Sequence, residues 1–167
     1  MYVGHFAIAL AAKGRRPSLP LVACLIAAMA PDLMMAVVGI ATGGAPADAY
    51  SHSLAAVAVL AFIGWGGARI YLPASRDALW VVVLVVSHLP ADWVTSRLAL
   101  WPHGPVWGAG LYSRPGIDLA IESVLAVAGW AIYRRSLPRE RRRATLAWAP
   151  LGVLLVLQGV WFWMSWR

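Results

Sequence analysis

The stretch Ala78-Leu79-Trp80-Val81-Val82-Val83-Leu84-Val85-Val86-Ser87-His88-Leu89-Pro90-Ala91-Asp92-Trp93 decides how this chain is read. Its first nine residues form an unbroken apolar run. With Val94 the stretch approaches the ~20 apolar residues that carry an α-helix across ~30 Å of hydrocarbon. The reading is a membrane-spanning helix from Ala78 to Val94 that ends in polar groups. On a helix, positions i and i+4 share a face one turn apart, so the imidazole of His88 and the carboxylate of Asp92 converge on one point, where an ion can be held. Polar groups in such a segment are costly and count as functional candidates. The plain alternative is a buried His–Asp pair that satisfies itself.

Composition extends this reading to the whole chain. The 167 residues are 61% hydrophobic and 13% charged, more apolar than a soluble domain of that size can bury. The expected class is all-α: a single polytopic transmembrane domain over residues 1–167, with the metal-site core in residues 1–122. The excess of 14 Lys+Arg over 7 Asp+Glu could suggest a nucleic-acid partner, but the basic residues stand in short clusters between apolar runs. Charge placed that way encodes membrane topology. The single cysteine, Cys24, excludes an internal disulfide and a cysteine-built zinc site, and reads as a small apolar helix residue.

Outward from the central stretch, five spans are expected, with a short piece before them. Tyr2 to Ala12, containing His5, is too short to cross and reads as a half-helix or re-entrant piece ahead of Lys13-Gly14-Arg15-Arg16. Leu19 to Thr42 is long enough to span and carries Pro31-Asp32 in its outer half. A signal peptide ending at Ala28-Met29-Ala30, or a lipobox at Leu21-Val22-Ala23-Cys24, is set aside because the apolar run continues past Ala30. A Gly/Ala/Pro loop from Gly43 to Tyr50 precedes Ser51-His52-Ser53, which opens the span Leu54 to Leu72. After the central span, Thr95 to Pro115 is a Gly-, Pro- and Trp-rich linker, expected to be re-entrant or interfacial, that holds Arg97, His103 and Arg114. Ile117 to Tyr133 is the fourth span, opening with Asp118 and Glu122, another i, i+4 acidic pair. The fifth runs from Leu146 to Trp163, where Trp161, Trp163 and Trp166 read as an interfacial aromatic belt without chemistry.

Charge orients these spans. Lys13, Arg15, Arg16, Arg69, Arg76, Arg134, Arg135, Arg139, Arg141, Arg142 and Arg143 fall on one side, and Arg97, Arg114 and Arg167 on the other. The positive-inside rule puts the first set in the cytoplasm. Asp32, His52, His88, Asp92, Asp118 and Glu122 then all reach the outer level. Satisfying a core does not require polar residues from four segments to meet there, whereas a metal site requires such convergence of imidazoles and carboxylates.

Gly4-His5, Pro31-Asp32, Ser51-His52-Ser53-Leu54, Ser87-His88 with Asp92, Thr95, and Trp101-Pro102 occur in an order that resembles the bacterial inner-membrane, membrane-bound metal-dependent hydrolase family. The resemblance covers roughly Met1 to Pro102. The chain departs from it in having Pro31-Asp32-Leu33-Met34 where many members carry Asp-x-Asp, and Asp48-Ala49-Tyr50 in place of His-Arg-Gly. A more distant similarity is to zinc-dependent phospholipase C, whose ordered His, Asp and Glu ligands His5, Asp32, His52, His88 and Asp92 would follow, with Asp118 and Glu122 as a later pair. These resemblances imply a multi-pass protein of the bacterial inner membrane with its site on the extracytoplasmic side. They also imply one to three divalent ions, zinc or alternatively manganese, and a phosphoester substrate.

A divalent ion held by imidazoles and carboxylates acidifies water to a pKa of about 7, so hydrolysis is the expected chemistry, with Asp92 or Glu122 as ligand or general base. Ser51 and Ser53 read as helix caps or donors to His52, since no Gly-x-Ser-x-Gly elbow surrounds them. With Thr95, Arg97, His103 and Arg114 they form the candidate substrate-binding set, the arginines as phosphate clamps or lipid anchors. The expected substrate is a membrane lipid or lipid-linked phosphoester, reached through a cavity open to lipid and to water. Two other classes compete. A metal or proton transporter needs polar residues through the whole membrane depth, and the inner halves of these spans are apolar. A non-catalytic membrane regulator with a structural metal would have a closed coordination shell rather than an open one.

Overall fold

A computed structural model describes residues 1–43, 48–72 and 75–166. Residues 44–47 of the expected Gly/Ala/Pro loop, and Arg167 from the outer charge count, lie outside the described residues, as does the side chain of Trp166. The described chain is helical almost throughout. Its helices are α1 (Val3–Arg15), α2 (Leu21–Ala28), α3 (Ala30–Ala41), α4 (Asp48–Ser51), α5 (Leu54–Tyr71), α6 (Ser75–Thr95), α7 (Pro115–Ser136), α8 (Arg139–Arg143) and α9 (Ala149–Trp166).

Three of these are long and apolar enough to cross a membrane: α5, α6 from Arg76, and α7. The expected span Leu19 to Thr42 is not one straight helix. It breaks at Met29 into α2 and α3, whose axes differ by 61°, and the pair counts as a fourth crossing only if taken as one bent span. Pro31 at the start of α3 explains the break, because proline lacks an N–H and its ring clashes with the preceding turn. α9 is apolar but shorter over Ala149–Met164. The expectation of five full crossings therefore reduces to three, or four with the bent pair.

The short N-terminal piece is the hub. α1 buries Val3, Gly4, His5, Ala7, Ala9, Leu10 and Ala12, and packs on α7, α2, α6 and α9. Small side chains permit this. A Cβ on Gly129 of α7 would lie 2.2 Å from the carbonyl oxygen of Ala7, so the two backbones touch where any larger residue would separate them. One apolar cluster joins α1, α2, α5 and α6 through Ala9, Ala27, Val57, Ala61, Leu84 and Val85; a second joins Val3 and Leu10 to Ala126 and Leu154.

The linker after α6 folds back as a cap. Leu98–Ala99 and Val106–Trp107 pair as a short antiparallel hairpin, followed by a 3-10 turn at Leu111–Ser113. The Ala109 N–H donates to the Trp93 carbonyl and the Leu54 N–H to the Leu100 carbonyl, pinning the linker over the ends of α6 and α5. Gly108 has φ +133, and a Cβ there would lie 2.0 Å from the Ser96 carbonyl oxygen, so this return requires glycine.

A candidate metal centre

Four side chains from three places in the chain meet beneath this cap. Asp32 comes from the first turn of α3, just past the break; His52 from the joint between α4 and α5; His88 and Asp92 from successive turns of α6. The expected i, i+4 convergence is present, with His88 Nε2 at 3.1 Å from Asp92 Oδ2. His52 Nε2 lies 3.1 Å from Asp32 Oδ1, 3.4 Å from Asp92 Oδ2 and 3.1 Å from His88 Nε2, and His88 Nε2 lies 3.6 Å from Asp32 Oδ1. Donors at 2.0–2.1 Å from a tetrahedral ion stand about 3.3 Å apart. These separations bracket that edge, and two imidazoles with two carboxylates are the donor chemistry of a divalent transition metal.

The far sides of both imidazoles are held as ligands require. His88 Nδ1 donates to the Ala28 carbonyl at the helix break, 2.7 Å away, which leaves the Nε2 lone pair for the centre. His52 Nδ1 is 2.7 Å from Ser51 Oγ, whose hydroxyl can accept the Nδ1 proton. Proline-induced breakage thus places Asp32 and also provides the acceptor that orients His88.

His5 is beside the centre but faces it differently. Its ring stacks on His88 at a centroid distance of 3.7 Å and its Nε2 donates to Asp92 Oδ1 at 3.0 Å. The Met1 amino group also donates to Asp92 Oδ1. Asp92 is therefore steered through one oxygen and presents the other to His52 and His88. His5 is buried behind Asp92 and does not line the cavity that was expected to hold it; it is a partner of that carboxylate rather than a member of the four-residue group.

The acidic pair on α7 is placed elsewhere. Glu122, expected as ligand or base, accepts the N–H groups of Tyr2 at 3.0 Å, Val3 at 2.5 Å and Gly4 at 3.0 Å. Both oxygens are thereby committed to the start of α1, whose first N–H groups have no intrahelical partner. Asp118, one turn earlier, is buried with Oδ1 unpaired among the described residues, and lies outside the four-residue group.

The candidate substrate-binding set separates in the same way. Ser51 supports His52, and Ser53 caps α5 by accepting the Ala56 N–H at 3.2 Å. Thr95 is buried beside the site, its hydroxyl 3.4 Å from the Asp92 carbonyl. Arg97, His103 and Arg114 are exposed and do not line the cavity; His103 occupies a left-handed position, φ 62, in the turn of the capping linker.

A cavity of about 410 Å³ opens on Asp32, His52 and Asp92 but not on His88, which closes the back. Its remaining walls are Met1, Tyr2, Met29, Met35, Ser96, Leu98, Tyr112 and Trp161, none of which the sequence marked as part of a site. Trp161, read as part of the aromatic belt, stacks on Tyr2 at 5.5 Å and packs against Tyr112 at 5.4 Å. Burial pushes the Tyr112 phenol above its usual range, so it stays a hydroxyl donor. Aromatics and methionines are ordinary in apolar helices, so no local signal distinguishes these.

No curated protein and no solved structure matches the chain. A family match spans nearly its whole length and agrees with the apolar helices and clustered charge: over residues 1–165 the chain belongs to the YdjM inner membrane protein family.

Proposed function

We propose that this protein is a membrane-embedded, metal-dependent hydrolase acting on a lipid or lipid-linked phosphoester at the extracytoplasmic leaflet. The observation that carries the reading is the convergence of Asp32, His52, His88 and Asp92, with ligand atoms all within 4.8 Å of one another, at the floor of a cavity with largely apolar walls. In this reading α2–α3 and α9 also cross, and α9, with 18 residues, reaches about 27 Å.

A divalent ion, zinc by the donor set, supplies Lewis acidity toward a phosphoryl oxygen and acidifies water to a pKa of about 7. The chain's own residues do the rest. Asp32, with 28% of its side chain exposed, is the carboxylate on the open side, placed to take a proton from an entering water. His5 holds Asp92 in orientation from behind. Ser96 and the Tyr112 hydroxyl offer donors to phosphoryl oxygens, and Met29, Met35, Leu98 and Trp161 provide an apolar wall for an acyl or prenyl chain. α3 supports entry from the bilayer, because it exposes Leu33, Val37 and Ile40 while Met35 reaches the cavity.

The test pairs metal analysis with two substrates. Protein purified without chelator should contain bound metal that His88→Ala loses, and should turn over a bilayer-embedded phospholipid much faster than a short-chain soluble phosphodiester. Metal-free wild-type protein indifferent to added zinc or manganese refutes the centre. Equal turnover of both substrates refutes the lipid assignment.

A further inference from the structure

The opposite end of α7 carries a second concave site that the proposed hydrolysis does not use. Arg134, Arg139, Arg142, Arg143 and Glu140 line a cavity of about 590 Å³. Asp118 and Arg134 are separated by 16 residues of one helix, ~24 Å along its axis, so the two sites face opposite membrane surfaces.

Two of the arginines form a rigid floor. Arg142 donates from Nε to the Leu137 carbonyl at 2.6 Å and from Nη2 to the Arg135 carbonyl, closing the end of α7. Arg134 donates from Nε to the Arg142 carbonyl at 3.3 Å, and its guanidinium lies 5.3 Å from the Trp130 ring and 4.7 Å from the Trp148 ring. The Trp130 indole is fixed in turn by donating to the Ala147 carbonyl at 2.7 Å. By contrast, the exposed side chains of Arg139 and Arg143 make no hydrogen bond or ion pair among the described residues. Four cations face one carboxylate, and like charges gathered this way favour an anion that bridges them.

An apolar groove starts nearby. Leu146, three residues past Arg143 and 82% exposed, heads a cleft of about 470 Å³ that continues along Pro150, Val153 and Leu157 of α9 against Phe6 and Leu25. Trp148, half exposed and packed under Arg134, lies between the groove residues Leu146 and Pro150 in sequence and so ties the basic floor to the head of the groove.

We propose that this end of the protein binds one anionic phospholipid of the adjacent leaflet. Its phosphate sits between Arg139 and Arg143 above the Arg134–Arg142 floor, and an acyl chain follows the groove from Leu146 along α9. Free phosphate matches the charge but not the groove, and a zwitterionic lipid fills the groove but brings its own cation, which the arginines repel. Basic pockets beside transmembrane helices recognise anionic headgroups on these terms.

The experiment is native mass spectrometry of the detergent-purified full chain, offered phosphatidylglycerol and phosphatidylcholine of equal chain length at equal concentration. Wild-type protein should retain phosphatidylglycerol about thirtyfold over phosphatidylcholine, as two arginines facing a headgroup of net negative charge imply. Arg139→Gln combined with Arg143→Gln should bring the ratio near one, and each single variant should fall between. Arg69→Gln, an exposed arginine at the end of α5, should leave it unchanged. Millimolar inorganic phosphate should displace none of the lipid. Absence of preference in wild-type protein, persistence of it in the double variant, loss of it in Arg69→Gln, or displacement by free phosphate overturns the proposal.

Discussion

Replacing Glu122 separates a structural role from a ligand role, because its carboxylate accepts three successive N–H groups at the start of α1. Glu122→Ala strands these buried donors. Hydrogen bonds to a charged group contribute about 1.5–3 kcal/mol each, so three would sum to roughly 4.5–9 kcal/mol if independent. They share one carboxylate and water can partly replace it, so the expected loss is about 3–5 kcal/mol, at the upper end for single substitutions. Glu122→Gln keeps an acceptor for Val3 and Gly4, which share Oε2, and loses the one for Tyr2, with an expected loss of about 1–2 kcal/mol. At roughly 2–4 °C per kcal/mol, the alanine variant should melt ~10 °C lower and the glutamine variant a few degrees lower. Thermal unfolding in one detergent, with elemental analysis of the same samples, reads both quantities. Metal stoichiometry should stay at the wild-type level in Glu122→Gln. If that variant instead loses metal as completely as His88→Ala while its melting temperature is unchanged, Glu122 is a ligand and the capping argument fails.

Two further outcomes follow from the packing around α1. His5→Ala removes the donor to Asp92 Oδ1 and the ring stacked on His88, so zinc affinity measured by chelator competition should fall ~10–100-fold while stoichiometry recovers at saturating zinc; an unchanged affinity would deny His5 its orienting role. Gly129→Ala forces α1 away from α7, since its Cβ would meet the Ala7 carbonyl oxygen at 2.2 Å, and should destabilise the protein by about 2–3 kcal/mol in detergent unfolding. Gly152→Ala on α9, with nothing within 4 Å of the added carbon, is the matched control and should be neutral or slightly stabilising.

Apolar length, charge asymmetry and helical spacing are properties of the chain in one dimension, and they determined a great deal. The run Ala78 to Val86 marks α6 as a crossing helix because hydrocarbon thickness sets a residue count. The i, i+4 spacing brings His88 to Asp92 wherever that helix goes. The common level of Asp32, His52, His88 and Asp92 follows from apolar segments alternating in direction, and these four do meet. The same arithmetic carried Asp118 and Glu122 to that level, yet level is only one coordinate. Which way each side chain turns about its helix axis depends on the neighbours that helix packs against, and that is tertiary. Gly129 lets α1 settle against α7, so the amide groups at the start of α1 take Glu122 for themselves. The break at Met29 falls in a run whose apolar length reads as a single span, although Pro31-Asp32 interrupts it. Its consequence, the Ala28 carbonyl aimed at His88, required two helices far apart in sequence to be brought side by side. Composition and spacing brought Asp32, His52, His88 and Asp92 to one level of the helices. Only packing decided which side chains at that level form the group, because a helix's rotation about its own axis is set by contacts and leaves no trace in hydrophobic length.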